Sequence, residues 1–196
     1  MQNETNGLLH YLFHHRNVLS TVDHRRLLEI CRGVDFPDYK AGNDKDSMYD
    51  LHANRGEILL SPDDGELYDL THRVMLKLMP KIYNGYSEIN PPNPPLFDKY
   101  SGYWLCKYPE GGYLSYHTDA DADAGSVTVS YTINDDYEGG DVSFWNGKHT
   151  IMPRENSAHV YPSNFLYPHR VNPVTKGERY SIIVWFSYQK GEQWLI

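Results

Sequence analysis

A chain of 196 residues is sized for one domain and can bury roughly 70% of its extended-state surface in a core. With 40% hydrophobic and 22% charged residues, 15 glycines and 12 prolines, the composition is globular and excludes collagenous, disordered and disulfide-stapled classes. The formal net charge of −8 argues against a broad basic face for phosphate backbones, so nucleic acid is not an expected partner, and Cys31 and Cys106 are too few for a disulfide framework.

The opening MQNETNGLLHYLFHHRN lacks the charged and apolar blocks of a leader, and no stretch approaches a membrane span. A soluble, cytoplasmic protein with no membrane partner is the expectation. Residues from about 20 to 33 read as a first helix: Ser20 and Asp23 fit a capping-box spacing, Leu27, Ile30 and Cys31 share a face, and Gly33 is a stop. The polar segment from Asp38 to Leu60 reads either as a lid or as a surface excursion. A stronger helix begins at Ser61-Pro62-Asp63-Asp64, with a capping hydroxyl, Pro at the first position and two acids at the positive end of the helix dipole. Leu67, Leu70, Val74 and Leu78 form its buried stripe, Asn84-Gly85 should end it, and PPNPP from Pro91 to Pro95 makes an extended connector.

The 17 tyrosines lean the class toward β structure, and beyond Tyr100 the pattern changes to short β-rich runs: YWLCKY, SVTVSYTI, DVSFW, KHTIM, AHVYP and RYSIIVWFSY. Asn146-Gly147 between two of them predicts a tight hairpin, because both central positions of that turn favour φ > 0. Short antiparallel strands following helices predict a β-rich α+β fold, a sandwich or jelly roll buttressed by N-terminal helices.

In LSYHTDAD, His117 and Asp119 are two apart, so on an extended strand both side chains project to one side. An imidazole and a carboxylate are half of a first-row metal site, and a third ligand from another strand would complete a facial triad with open positions, the arrangement associated with non-haem Fe(II). Among ten histidines, His169 is the preferred third ligand, at a strand end followed by a Pro and Gly turn. Arg179 lies ten residues further, across the hairpin expected of VNPVTKG, and starts a strand whose inward face is Arg179, Ser181, Ile183 and Trp185. A buried guanidinium is costly unless it meets an anion, and its fork suits a carboxylate. Glu178, on the opposite strand face, is not its partner. DADADAG from Asp119 has Gly in the wrong place for a calcium loop, so Asp121 and Asp123 are read as loop acids. His149 and His159 are read as partnered or surface strand histidines, and His14-His15 as a surface pair.

The segments KYPEGGYLSYHTDAD, VTVSYTINDDYEGGDVSFW and AHVYPSNFLYPHRVNPVTKGERYSIIVWFSY resemble, in order and spacing, the catalytic core of the 2-oxoglutarate and Fe(II)-dependent dioxygenases, in particular the prolyl 4-hydroxylase-like branch with the PKHD-type hydroxylases. The resemblance covers about residues 103 to 188 and implies a double-stranded β-helix core over 100–188; the chain length and the helix signals add a helical support region over 1–99, in one domain spanning 1–196. It implies that His117, Asp119 and His169 hold Fe(II), that Arg179 pairs with the distal carboxylate of 2-oxoglutarate, and that the Tyr108 hydroxyl shares it. Trp185 would wall the pocket and Val171 would pack on the cosubstrate. Some relatives carry a Thr after the GG pair and an acid; this chain has Val142 there, and inward-facing Thr132 is the substitute hydroxyl. The implied reaction uses O2, with ascorbate as an accessory reductant, and hydroxylates a substrate C–H while 2-oxoglutarate becomes succinate and CO2. A prolyl residue in a peptide, or a related small substrate, is the expected target. Two other readings stay open: a jelly-roll binding module that merely holds a metal, and nucleic-acid demethylation, against which stand the acidic charge and Trp185 six residues past Arg179.

Overall fold

The computed structural model describes residues 6–37, 53–89, 99–119 and 126–187. In chain order these form α1 (Asn6–Leu9), β1 (Phe13–Arg16), α2 (Thr21–Arg32), β2 (Ala53–Asn54), β3 (Gly56–Leu60), a 3₁₀ turn (Pro62–Asp64), α3 (Glu66–Ile89), β4 (Lys99–Tyr100), β5 (Tyr103–Tyr108), β6 (Tyr113–His117), β7 (Val127–Thr132), β8 (Glu138–Gly139), β9 (Val142–Phe144), β10 (His149–Ile151), β11 (Ser157–Pro162), β12 (His169–Val171), β13 (Val174–Lys176) and β14 (Arg179–Ser187).

The first long helix forms as its caps predict. The Ser20 hydroxyl accepts from the Asp23 amide at 3.1 Å, and Gly33 closes α2 by donating to Ile30. The second begins differently. Ser61, Pro62 and Asp64 build a 3₁₀ turn in which the Asp64 carboxylate accepts from the Ser61 amide at 2.7 Å, and α3 starts only after Gly65, whose φ is +56°. Nor does the helix end at Asn84-Gly85. It runs to Ile89 because Ile82 and Tyr86 extend the buried stripe, and Gly85 gives the Phe13 ring room to lie against the helix, where a Cβ would sit 3.1 Å from it. The PPNPP segment lies outside the described residues.

The strands assemble into a seven-stranded sheet of order β1-β11-β7-β14-β5-β3, with β4 on β14, a five-stranded sheet of order β10-β9-β12-β6-β2, and a β13-β8 pair. Every pairing among the described residues is antiparallel. This is the jelly roll expected. Asn146 and Gly147 turn the β9-β10 hairpin at φ +56° and +80°, with the Lys148 amide donating to the Trp145 carbonyl. The region before residue 100 is more than a helical support, since β1 and β3 flank the larger sheet and β2 edges the smaller one. Their brevity hid them: FHHR alternates half-buried and exposed over four residues only.

Period-two alternation gives the larger sheet two buried faces. Tyr180, Ile182, Val184 and Phe186 of β14 join Leu105, Val129, Tyr131 and Val160 against the helical residues Leu27, Val74, Met75 and Leu78. The alternate residues, including Cys106, Tyr108 and Ile183, face the smaller sheet and meet Leu114, Phe144 and Val171 there. At the helical layer, Asn156 at φ +52° ties the start of α2 to the sheet: its side chain accepts from the Leu19 amide, donates to the Leu19 carbonyl and accepts from the Tyr131 hydroxyl.

One expected connection is different. β12 pairs with β6 and β9, whereas β14 pairs with β5, β7 and β4, so VNPVTKG does not fold β12 and β14 into a hairpin. Instead β13 pairs off with β8, and the chain crosses from one sheet to the other. His169 and Arg179 therefore approach the interior from opposite walls.

Candidate metal centre and anion pocket

Strand pairing brings the separated ligand residues together. His117 ends β6 and His169 begins β12, and the two are direct partners in an antiparallel register, with ring centroids 4.3 Å apart. Asp119 follows β6 and lies between them, its carboxylate oxygens 3.4 Å from His117 Nε2 and 3.7 Å from His169 Nε2. One potential ligand atom from each of the three falls within 4.8 Å of the others, and no other such group of three occurs among the described residues.

Backbone carbonyls set the tautomers. His117 Nδ1 bonds to the Ser115 carbonyl at 2.8 Å and His169 Nδ1 to the Tyr167 carbonyl at 3.0 Å. A carbonyl only accepts, so Nδ1 carries the proton and Nε2 turns its lone pair toward Asp119. Burial and the neighbouring His117 push the His169 imidazole down to about 4, so it is neutral at physiological pH, as a ligand must be. Burial works against ionisation of Asp119, but His169, His117 and the Thr128 hydroxyl outweigh it and hold the carboxyl well below its ordinary range. Thr128 donates to Asp119 at 2.6 Å and contacts the Ser163 hydroxyl at 2.8 Å. The Tyr161 hydroxyl lies 3.0 Å from His169 Nε2, and burial with Asp119 nearby keeps that phenol protonated. A convergent, desolvated His₂-carboxylate set with fixed tautomers fits a divalent first-row metal.

The facing wall carries the cation. Arg179 is 1% exposed, and its Nε and Nη1 have no hydrogen-bond partner. Its guanidinium carbon lies 4.9 Å from the centre of the Tyr108 ring, and it pairs with no carboxylate among the described residues. Glu178 engages Lys107 at 2.7 Å instead, as its strand face requires. Thr132 Oγ1 is also buried without a partner, as is the hydroxyl of Ser181, its cross-strand neighbour. Burial pushes the Tyr137 phenol up, with Arg179 beside it partly offsetting the shift; its hydroxyl too lacks a partner. Gly140, at φ +64°, lets the backbone approach this cation, since a Cβ there would sit 3.2 Å from Arg179 Cδ. Unpaired buried donors around one cation are expensive unless an anion completes them.

The other expected residues distribute around these two features. Val171 is buried beside Val142 and Leu114 and lines a cavity of about 300 Å³ with Tyr113, Tyr116 and Arg170. Trp185 is half-buried, opposite Thr128 across the sheet, with its ring 6.4 Å from Trp104. His159 is buried and stacks on His14 at 4.5 Å, and His149 lies 6.2 Å from Trp145; neither joins the metal group. Asp121 and Asp123 lie outside the described residues.

Four contributors escaped the sequence reading. Thr128 sat in view, four residues before Thr132 on the same inward face. Tyr161 is likewise inward, opposite Thr128. Tyr137 lies in a connection between strands, and Arg55, whose Nη1 donates to the Tyr108 hydroxyl at 3.0 Å, in a segment read as a lid or surface excursion, where no local pattern marks either.

Two packed sheets thus carry a metal-ligand cluster on one wall and a buried cation on the other. The family model described as the 2OG-Fe(II) oxygenase superfamily matches residues 103–187, from the first residue of β5 to the last of β14, and this stretch is similar to that superfamily. The curated relatives to which it is similar are PKHD-type hydroxylases. The chain is 34% identical over 113 residues to a PKHD-type hydroxylase of Alteromonas mediterranea, covering 51% of this chain and 46% of that one. It is 35% identical over 86 residues to a PKHD-type hydroxylase of Idiomarina loihiensis, covering 40% and 38%. The chain thus spans less than half the length of these relatives. The fold is similar to a prolyl-4-hydroxylase of Pseudomonas putida, with a TM-score of 0.71 at 20% identity over 92% of this chain and 94% of that one. It is also similar to a Trichoplax adhaerens prolyl hydroxylase in complex with a hypoxia inducible factor peptide fragment, with a TM-score of 0.67 at 17% identity over 91% and 84%. No helix among the described residues is long and apolar enough to cross a membrane.

Proposed function

We propose that this chain is a 2-oxoglutarate and Fe(II)-dependent dioxygenase that hydroxylates a C–H of a prolyl residue in a peptide, or of a related small substrate. One observation carries the reading: a triad of two imidazoles and a carboxylate faces a buried arginine whose Nε and Nη1 have no hydrogen-bond partner. In this reading His117, Asp119 and His169 hold Fe(II) through Nε2 and carboxylate oxygens. Arg179 grips the distal carboxylate of 2-oxoglutarate through Nε and Nη1, and Tyr108 and Thr132 offer hydroxyls to the same anion. Bound iron supplies O2 activation and the oxidative decarboxylation that yields succinate and CO2. The chain orients the keto acid between its two walls, excludes water through Val171, Trp185 and the apolar interior, and keeps Tyr161 protonated beside His169. The core of 100–188 carries this chemistry, with 1–99 packing against it as part of one domain, in the cytoplasm.

A peptide target is favoured because the Trichoplax adhaerens neighbour holds a peptide fragment, and the PKHD-type relatives carry the hydroxylase name. The test is aerobic incubation of the protein with Fe(II), ascorbate and 2-oxoglutarate, with and without a prolyl-peptide library. Succinate formation that depends on both Fe(II) and His117 is expected, and prolyl peptides should accelerate it. An anaerobic mixture with Fe(II) and 2-oxoglutarate should develop a weak visible charge-transfer band, lost in Asp119→Ala. Absence of both band and succinate would leave a metal-holding binding module.

A further inference from the structure

Arg55 is the single residue between β2, in the five-stranded sheet, and β3, in the seven-stranded one, so it stands where the backbone steps from one wall of the sandwich to the other. Gly56 pairs with Lys107, which puts Arg55 level with Tyr108 on the neighbouring strand. The backbone is packed tightly there: a Cβ on Gly56 would lie 2.9 Å from Phe36 Cβ. The Arg55 side chain is 14% exposed and reaches in two directions. Nη2 lies 2.7 Å from Glu57 Oε2, and Nη1 donates to the Tyr108 hydroxyl oxygen at 3.0 Å. Arg55 and Arg179 thus bracket one phenol, with guanidinium carbons 5.9 Å and 4.9 Å from its ring centre.

The polarity of this contact is fixed. A guanidinium has no acceptor, so the Tyr108 oxygen receives the bond and its own proton must point elsewhere. The bond from Arg55 leaves that proton uncommitted, and Arg179 Nε and Nη1 beside the same ring are also unpaired. Without Arg55, the hydroxyl is a free rotor that can accept from Arg179 and turn its proton away from an incoming anion.

We propose that Arg55 is a positioning residue of the cosubstrate pocket: by donating to Tyr108 it commits the phenolic proton to the carboxylate held at Arg179, while Glu57 fixes the other arm of its guanidinium. This rests on the 2-oxoglutarate reading above. Arg55 acts through Tyr108 and on binding rather than on the chemical step.

The test is calorimetric titration of 2-oxoglutarate into the anaerobic Fe(II)-loaded protein, for wild type, Arg55→Met, Tyr108→Phe and the double variant, with steady-state kinetics alongside. A hydrogen bond to a charged group corresponds to roughly tenfold or more in affinity, so each single variant should bind at least about tenfold more weakly. The double variant should be no more than about twofold weaker than either single, because both remove one donor. KM for 2-oxoglutarate should rise with kcat kept within about twofold. Arg55→Lys keeps the charge but not the planar fork, and should restore only part of the loss. Should Arg55→Met fail to fold, Glu57→Gln, which frees the second arm, is expected to weaken binding several-fold by itself. Wild-type affinity in the Arg55 variants, or losses that multiply in the double variant, overturns the positioning role while leaving the oxygenase reading intact. A wild-type protein that binds no 2-oxoglutarate overturns both.

Discussion

Replacing Arg179 by Met separates a ligand-binding cation from a structural one, because the two roles give opposite signs in the absence of cosubstrate. The guanidinium is 1% exposed, with Nε and Nη1 unpartnered and no carboxylate partner among the described residues, so its desolvation is met by the Tyr108 ring at 4.9 Å and the neighbouring Tyr137 rather than by an anion. The Tyr108 contact returns on the order of 1–2 kcal/mol, whereas exchanging buried ionic groups for apolar ones of similar volume is neutral or stabilising by about 1–4 kcal/mol. Arg179→Met should therefore leave the melting temperature of the free protein unchanged or raise it by up to roughly 5 °C. Cosubstrate binding should respond in the opposite sense. Removing one member of a buried charge pair costs about 3–5 kcal/mol, a loss of two to nearly four orders of magnitude in affinity for 2-oxoglutarate. Thermal melts with and without the keto acid read both quantities at once. At a concentration about 100-fold above its dissociation constant, 2-oxoglutarate should stabilise the wild type by about 2.7 kcal/mol and the variant not at all. A free variant destabilised by about 3 kcal/mol, with the ligand-induced shift intact, would refute the assignment and make Arg179 a structural residue.

Thr128→Val removes the 2.6 Å hydrogen bond to Asp119 while keeping the side-chain shape, and should weaken metal retention by about 10- to 100-fold in a chelator competition, with the fold intact by circular dichroism. Asn156→Ala deletes the bonds to both backbone groups of Leu19 and the bond from the Tyr131 hydroxyl, at a residue with φ +52°, and should cost about 3–5 kcal/mol in urea unfolding. His159 is held down to about 3 by burial first and by His14 second, below an ordinary value of 6.5, so the folded state resists a proton that the unfolded chain accepts. Its contribution is complete above pH 6.5 and falls as pH drops toward 3, by about 2 kcal/mol at pH 5. His159→Asn should flatten the acid limb of a stability-against-pH curve, and an unchanged slope would count against the burial argument.

The parts of this molecule legible in the sequence are those fixed by local periodicity. A two-residue spacing puts His117 and Asp119 on one side of an extended chain whatever surrounds them, and alternation along β14 divides Arg179 and Ser181 from Tyr180 and Ile182. Caps behave the same way where one side chain answers one amide, as Ser20 does for Asp23. Helix ends set by packing do not. Gly85 reads as a stop until the Phe13 ring is seen against it, and the strand that carries that ring is four residues long. The sequence predicts His169 and Arg179 on the two arms of one hairpin, but their strands lie in different sheets, and only the pairing of β13 with β8 shows where the chain crosses.

That crossing gives the site its chemical logic. With ligands and cation on a single sheet, Arg179 would lie along a cross-strand row from the histidines, and the imidazoles and guanidinium would be fixed at sheet spacing with little room between them. On opposing walls, the two sets are separated by the thickness of a sandwich core, about 10 Å, which a five-carbon diacid can span while touching a metal at one end and a guanidinium at the other. The tautomers are set from behind by the Ser115 and Tyr167 carbonyls, so the lone pairs face that gap before any ligand arrives. The arginine also waits desolvated, at a cost borne by the helix-backed sheet that holds β14 in place. In the proposed reading, affinity for the diacid would come from completing a charge already stripped of water, and loosening β14 should weaken cosubstrate binding even where no residue that touches the ligand is changed.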